Sequence, residues 1–126
     1  MTKRHAIVWL DHHEARVLQF DADSVDTTRV ASHAHNTRQH GSTVRTEHEF
    51  FADVCAALAD IPEILVAGSK TALADMHHYA DKHRPETSRR IVGYEVVDHP
   101  SDNQLVAMAR AFFLKFDRMA GSPTPT

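Results

Sequence analysis

The order in which hydrophobic patterns follow one another is the strongest constraint on this chain. Three strand-like runs come first, and then helix, strand, helix, strand, helix. The first two runs, residues 4–10 and 15–20, are separated only by Asp11, His12, His13 and Glu14. A gap that short favours an antiparallel hairpin. The later strand-like runs, residues 63–67 and 90–97, are each reached through a helical pattern, and helical crossovers favour parallel, right-handed connections. In the first run Ala6, Val8 and Leu10 alternate with Ile7 and Trp9, so both faces are apolar, as in a strand covered on two sides. In the second, Val17 and Gln19 share one face, and Leu18 and Phe20 the other. The third run, residues 27–33, is more polar, with Val30 as its main apolar residue, and fits a sheet edge.

Residues 32–45 have no apolar period and read as a long polar loop of the kind that commonly carries function. Thr46 and Glu49 form a capping-box signature. Phe50, Phe51, Val54, Cys55, Leu58 and Ile61 then recur at helical spacing up to Pro62. Gly68 and Ser69 turn the next strand into a helix, with Ser69 as N-cap. Leu73, Met76, Tyr79 and Ala80 form its inner stripe, and Pro85 lies beyond its end. After Pro100, Ser101 and Gln104 form a second capping box. The last helix carries a stripe of Leu105, Met108, Ala109, Phe112 and Phe116, widened by Val106 and Phe113. The order βββαβαβα is that of an α/β, ribonuclease-H-like fold: a mixed five-stranded sheet with three helices.

One domain is expected over residues 1–119, followed by a Pro/Thr/Ser-rich tail, residues 120–126, expected to be disordered. No run approaches the ~20 apolar residues of a membrane-spanning helix, and the N-terminus lacks the apolar core of a secretory signal. The single cysteine, Cys55, excludes a disulfide within the chain and points to a reducing, cytoplasmic setting. The formal net charge of −3 argues against a general electrostatic grip on nucleic acid. The 11 histidines qualify this, because exposed imidazoles charge near pH ~6.5 and make the surface more positive in mild acid.

No catalytic residue, metal site or cofactor is assigned. The pairs His12-His13, His33-x-His35 and His77-His78 lack a diagnostic ligand spacing, and neighbours on a helix point about 100° apart. Asp11, Glu47, Glu49 and Asp98 are not required by their spacing to converge as the carboxylate cluster of a two-metal nuclease must. Glu47 and Glu49 suit a helix start, and Asp98 a turn. Gly68-Ser69-Lys70-Thr71 links a strand to a helix, so Ser69, Lys70 and Thr71 are candidate anion-binding residues. The upstream glycine of a phosphate-binding loop is missing. There is no Gly-x-Ser-x-Gly elbow, and His48 lies two turns from Cys55 on one helix, too far for a direct pair.

Residues 6–17, Ala-Ile-Val-Trp-Leu-Asp-His-His-Glu-Ala-Arg-Val, carry a further signal, as do residues 63–68 with Lys70-Thr71-Ala72-Leu73, and residues 98–105. Together, over residues 3–118, they resemble a group of small bacterial proteins described as translational machinery proteins. That group is similar to the central, ribonuclease-H-like domain of archaeal and eukaryotic class-1 peptide-chain release factors and of Pelota. In release factors this domain carries a Gly-Gly-Gln tripeptide in the loop before its first helix, where it serves peptidyl-tRNA hydrolysis. The matching loop here reads Arg38-Gln39-His40-Gly41-Ser42. The double glycine is absent, so the resemblance does not extend hydrolysis to this chain.

The resemblance implies a single-domain binding module associated with translation, with the ribosome, tRNA or a translation protein as partner. His35, Arg38, Gln39, His40 and Arg45 are the expected RNA- or partner-binding residues, suited to phosphate contact or stacking on bases. The competing reading is a hydrolase of peptidyl-tRNA ester or, with a metal, of phosphodiester, working through the histidine-rich loop. A third is a homodimer built by pairing exposed sheet edges.

Overall fold

The computed structural model describes residues 3–32 and 42–119. Five strands, β1 (His5–Leu10), β2 (Glu14–Phe20), β3 (Val25–Ala31), β4 (Glu63–Gly68) and β5 (Ile91–Val96), form one mixed sheet in the order β3-β2-β1-β4-β5. β1 is central. It pairs antiparallel with β2, Val8 opposite Val17, and parallel with β4, Val8 opposite Val66. β2–β3 is antiparallel and β4–β5 parallel. The meander followed by a parallel pair is therefore present as the pattern order predicts.

The two faces of β1 feed two cores. Ala6, Val8 and Leu10 pack with Phe50, Phe51, Val54 and Cys55 of α1 (Ser42–Ala57) and with Leu73, Met76 and Tyr79 of α2 (Lys70–His83). Ile7 and Trp9 pack on the other face with Leu105, Val106, Ala109 and Phe113 of α4 (Asp102–Met119). Every residue of β1 from Ala6 to Leu10 is buried. β3 at the edge is exposed along nearly its whole length, as its polar composition requires.

Four helices stand where three were expected. The additional one is α3 (Pro85–Ser88), with Pro85 at its first turn. Proline lacks the N–H that a first helical position leaves unused anyway, so it starts this helix as well as lying past α2. α1 begins at Ser42, so Thr46 is inside the helix and not its cap. Thr46 is buried and opens the row Thr46, Phe50, Val54, Leu58, whose spacing of four holds one face against the sheet.

α1 also stops before Pro62. Leu58, Ala59 and Ile61 donate to the carbonyls of Cys55, Ala56 and Leu58 in tight turns, and Asp60 adopts a left-handed φ of 67°. The Arg90 guanidinium then satisfies the carbonyls of Leu58 and Ile61 at 2.8 and 2.7 Å. On α4 the most buried row is Leu105, Ala109, Phe113 and Asp117, while Met108, Phe112 and Phe116 are half-buried. The stripe thus sits one position C-terminal to the predicted one and ends in a carboxylate. β3 runs Val25–Ala31 and so does not reach His33. The tail 120–126 lies outside the described residues.

Candidate functional site at the carboxyl ends of β1 and β4

β1 and β4 lie side by side in parallel, with Leu10 opposite Gly68 at their carboxyl ends. From there the chain departs in opposite directions, β1 back into β2 and β4 through α2 to β5. In open α/β sheets the crevice outside such a divergence is where ligands bind.

Gly68 permits the approach. Its φ is +147°, and a Cβ there would stand 1.9 Å from the Leu10 carbonyl oxygen. The Ser69 amide donates to that same oxygen at 3.3 Å. Ser69 occupies the N-cap position of α2 in extended conformation, yet its hydroxyl makes no capping bond. Among the described residues its Oγ is buried without a hydrogen-bond partner. The capping role expected of the Ser69 side chain is therefore absent. Lys70 and Thr71 follow, both exposed.

Across the crevice, the β1–β2 turn is held by Asp11, whose Oδ1 accepts from the amides of His13 and Glu14 at 2.7 and 2.9 Å. This closure presents His12 toward α1 and α2. His12 Nε2 lies 2.9 Å from Thr71 Oγ1, and Nδ1 lies 3.5 Å from Glu47 Oε2. Asp75 brings a carboxylate oxygen into the same group, each ligand atom of His12, Glu47 and Asp75 lying within 4.8 Å of the others. The imidazole is thus steered from both nitrogens by a hydroxyl and a carboxylate. The site is open: the His12 and Glu47 side chains are 39% and 33% exposed.

Sequence reasoning placed Glu47 at the helix start and did not join it to His12, and it missed Asp75. The available signal was the spacing of four between Thr71 and Asp75, which puts both on one face of α2. Asp11 spends its carboxylate on the turn, and Glu49 and Asp98 are exposed elsewhere. Asp98 contributes its backbone oxygen, which accepts from Trp9 Nε1 at 2.8 Å.

His35, Arg38, Gln39 and His40 lie outside the described residues, as does His33. Both flanks of that segment are anchored at this edge. The Ser32 amide donates to the His13 carbonyl at 2.8 Å, and Glu47, in the second turn of α1, meets His12. Arg45 is exposed in the first turn of α1.

Cys55, His48, His77 and His83 lie outside the His12 group and pack within the fold. Burial pushes the Cys55 thiol up to about 11. His48 packs at a tilt against Tyr79 and His83, with ring centroids 5.2 and 5.3 Å away. His83 is held below its usual range by desolvation and by the neighbouring His48. His77 lies flat on Tyr94, centroids 4.4 Å apart, and pairs with Asp81 at 3.3 Å, so His77 and His78 do not share one ligand position.

No protein-family model matches the chain, and no curated protein matches it in sequence. Solved structures do match. Pelota of Thermoplasma acidophilum aligns at a TM-score of 0.63 and 16% identity, over 85% of this chain and 31% of its own. The archaeal translation termination factor aRF1 aligns at 0.58 and 11% identity, over 93% of this chain and 41% of its own.

The fold is that of one part of Pelota and of aRF1.

Dom34 of S. cerevisiae, a translation termination-like factor, aligns at 0.52 and 11% identity, over 83% of this chain and 31% of its own. The chain thus spans about a third of the Pelota and Dom34 chains and two fifths of aRF1. Its five-stranded mixed sheet with four helices is consistent with the central-domain-like fold of these release-factor-type proteins.

Proposed function

We propose that this protein is a translation-associated binding module of release-factor type, acting without peptidyl-tRNA hydrolysis, and that it engages RNA of the ribosome or tRNA. The observation that carries this reading is that both flanks of segment 33–41 meet the β1–β2 turn, Ser32 at His13 and Glu47 at His12, while His12 also meets Thr71 beside Lys70. The shared fold supports it, and Dom34 is itself described as acting in RNA quality control. Arg38, His35 and His40 are the contacts to phosphate and bases, with Gln39 beside them and Arg45 at the base of the segment. Lys70 and the free amides of α2 hold a phosphate oxygen. Asp75, Glu47 and the net charge of −3 oppose a long phosphate track, so the grip is local and salt-sensitive.

Co-sedimentation with purified ribosomes at rising salt tests this. Binding at low salt should fall as salt rises. The triple variant Arg38→Ala, Arg45→Ala, Lys70→Ala should weaken it by roughly tenfold or more. Binding that ignores both salt and these residues overturns the assignment.

One observation favours the hydrolase reading, the His12–Glu47–Asp75 group at the end of the central strand. Release of peptide from a model peptidyl-tRNA, lost on Gln39→Ala or His40→Ala, would establish that reading in place of the first.

A further inference from the structure

A second polar group sits at the opposite end of the sheet, where β1 and β4 begin. His5 and Glu63 are direct partners in the parallel register, and both side chains point to the α4 face. His5 Nε2 lies 2.8 Å from Glu63 Oε1 and 3.5 Å from Asp117 Oδ2. Asp117 is the carboxylate that ends the buried row of α4, and only 7% of it is exposed. Its Oδ1 is buried and has no hydrogen-bond partner among the described residues. Arg4 reaches Glu63 alone, at 3.5 Å, from a largely exposed position. His5 is held in place by Phe113 at 4.4 Å and by Phe20.

The difficulty is one of valence. A ring nitrogen carries one proton, and here two carboxylates claim it while a third buried oxygen receives nothing. Buried carboxylates are tolerated when paired or when bound to a cation. A divalent cation at this point takes one ligand atom from each of the three residues and neutralises the carboxylates. In a tetrahedral zinc site with bonds near ~2.0 Å, adjacent ligand atoms stand ~3.3 Å apart. The spacings of 2.8 and 3.5 Å bracket that value.

We propose that His5 Nε2, Glu63 and Asp117 form a binding site for a zinc-like divalent cation. Imidazole with two carboxylates is a donor set such ions accept. A cavity of about 200 Å³ to which His5, Asp117, Phe20, Phe113 and Arg110 contribute adjoins these ligands and leaves room for a fourth. The His12 group is the weaker cation site: Thr71 occupies one ring nitrogen, and its residues are more exposed.

The test uses the tag-free full chain and zinc chloride alone. Calorimetric titration should show one saturable site. His5→Ala and the near-isosteric Asp117→Asn should each weaken it by at least about tenfold, whereas His12→Ala should not. In the unaltered protein, the His5 ring nitrogens should shift in the nitrogen NMR spectrum on zinc addition, a readout independent of how the variants fold. Absence of saturable binding, binding lost only in His12→Ala, or shifts at His12 without His5 would each overturn the assignment.

Discussion

At the scale of single residues, Gly68 decides whether the two central strand ends can meet. Any side chain there faces both a backbone angle of +147° and an oxygen 1.9 Å from its Cβ. The obstacle is the backbone of β1, which cannot rotate aside as a side chain can. Gly68→Ala should therefore destabilise the fold by about 3 kcal/mol or more, measured by urea unfolding. A near-native stability would mean that β1 and β4 do not close at this point as described. Its role was only half legible: the Gly-Ser pair marks a turn in any sequence, but the contact with Leu10 is 58 positions away along the chain. Asp117 was illegible for a related reason. A lone aspartate near a helix end reads as solvated, and only the row Leu105, Ala109, Phe113 shows that its position faces inward.

At the scale of elements, local patterns were reliable where they reported burial and unreliable where they reported ends. The strand order, the apolar faces of β1 and the inward residues of α1 and α2 followed from periodicity, since period reflects which face must leave water. Starts and stops depend on competing partners. Thr46-x-x-Glu49 has the letters of a capping box, yet burial of Thr46 in line with Phe50 and Val54 carries the helix through it. Ser101-x-x-Gln104 has the same letters and does cap: the Gln104 amide donates to Ser101 Oγ at 3.2 Å, and the Ser101 amide to Gln104 Oε1 at 2.8 Å. Ser69 stands at a cap position with an unused hydroxyl. The two serines should part company under mutation. Ser101→Ala should cost about 1 kcal/mol, whereas Ser69→Ala should change stability by less than about 0.5 kcal/mol, since it removes no bond and a buried, unsatisfied oxygen. Equal losses in paired denaturation curves would contradict this division.

At the scale of the whole molecule, β1 is shared property. Val8 belongs to the layer under α1 and α2, and Trp9 to the layer under α4. Adjacent residues of one strand thus sit in opposite cores, and neither layer can lose β1 without stripping the other. Further bonds tie the α4 side to the hairpin: Arg16 stacks over Trp9 at 4.9 Å and binds Asp102 at 2.5 Å and the Pro100 carbonyl at 3.0 Å. On the other side Arg90 joins β5 to the end of α1. Each layer carries its own natural probe. Trp9 is the sole tryptophan and Cys55 the sole cysteine, and they lie in different cores. Tryptophan fluorescence and the labelling of Cys55 should therefore report the same urea midpoint, as one cooperative unit requires. If the thiol became reactive at lower urea than the fluorescence change, the α1–α2 layer would open on its own. The central strand would then not couple the two faces, and residues 1–119 would not behave as one domain.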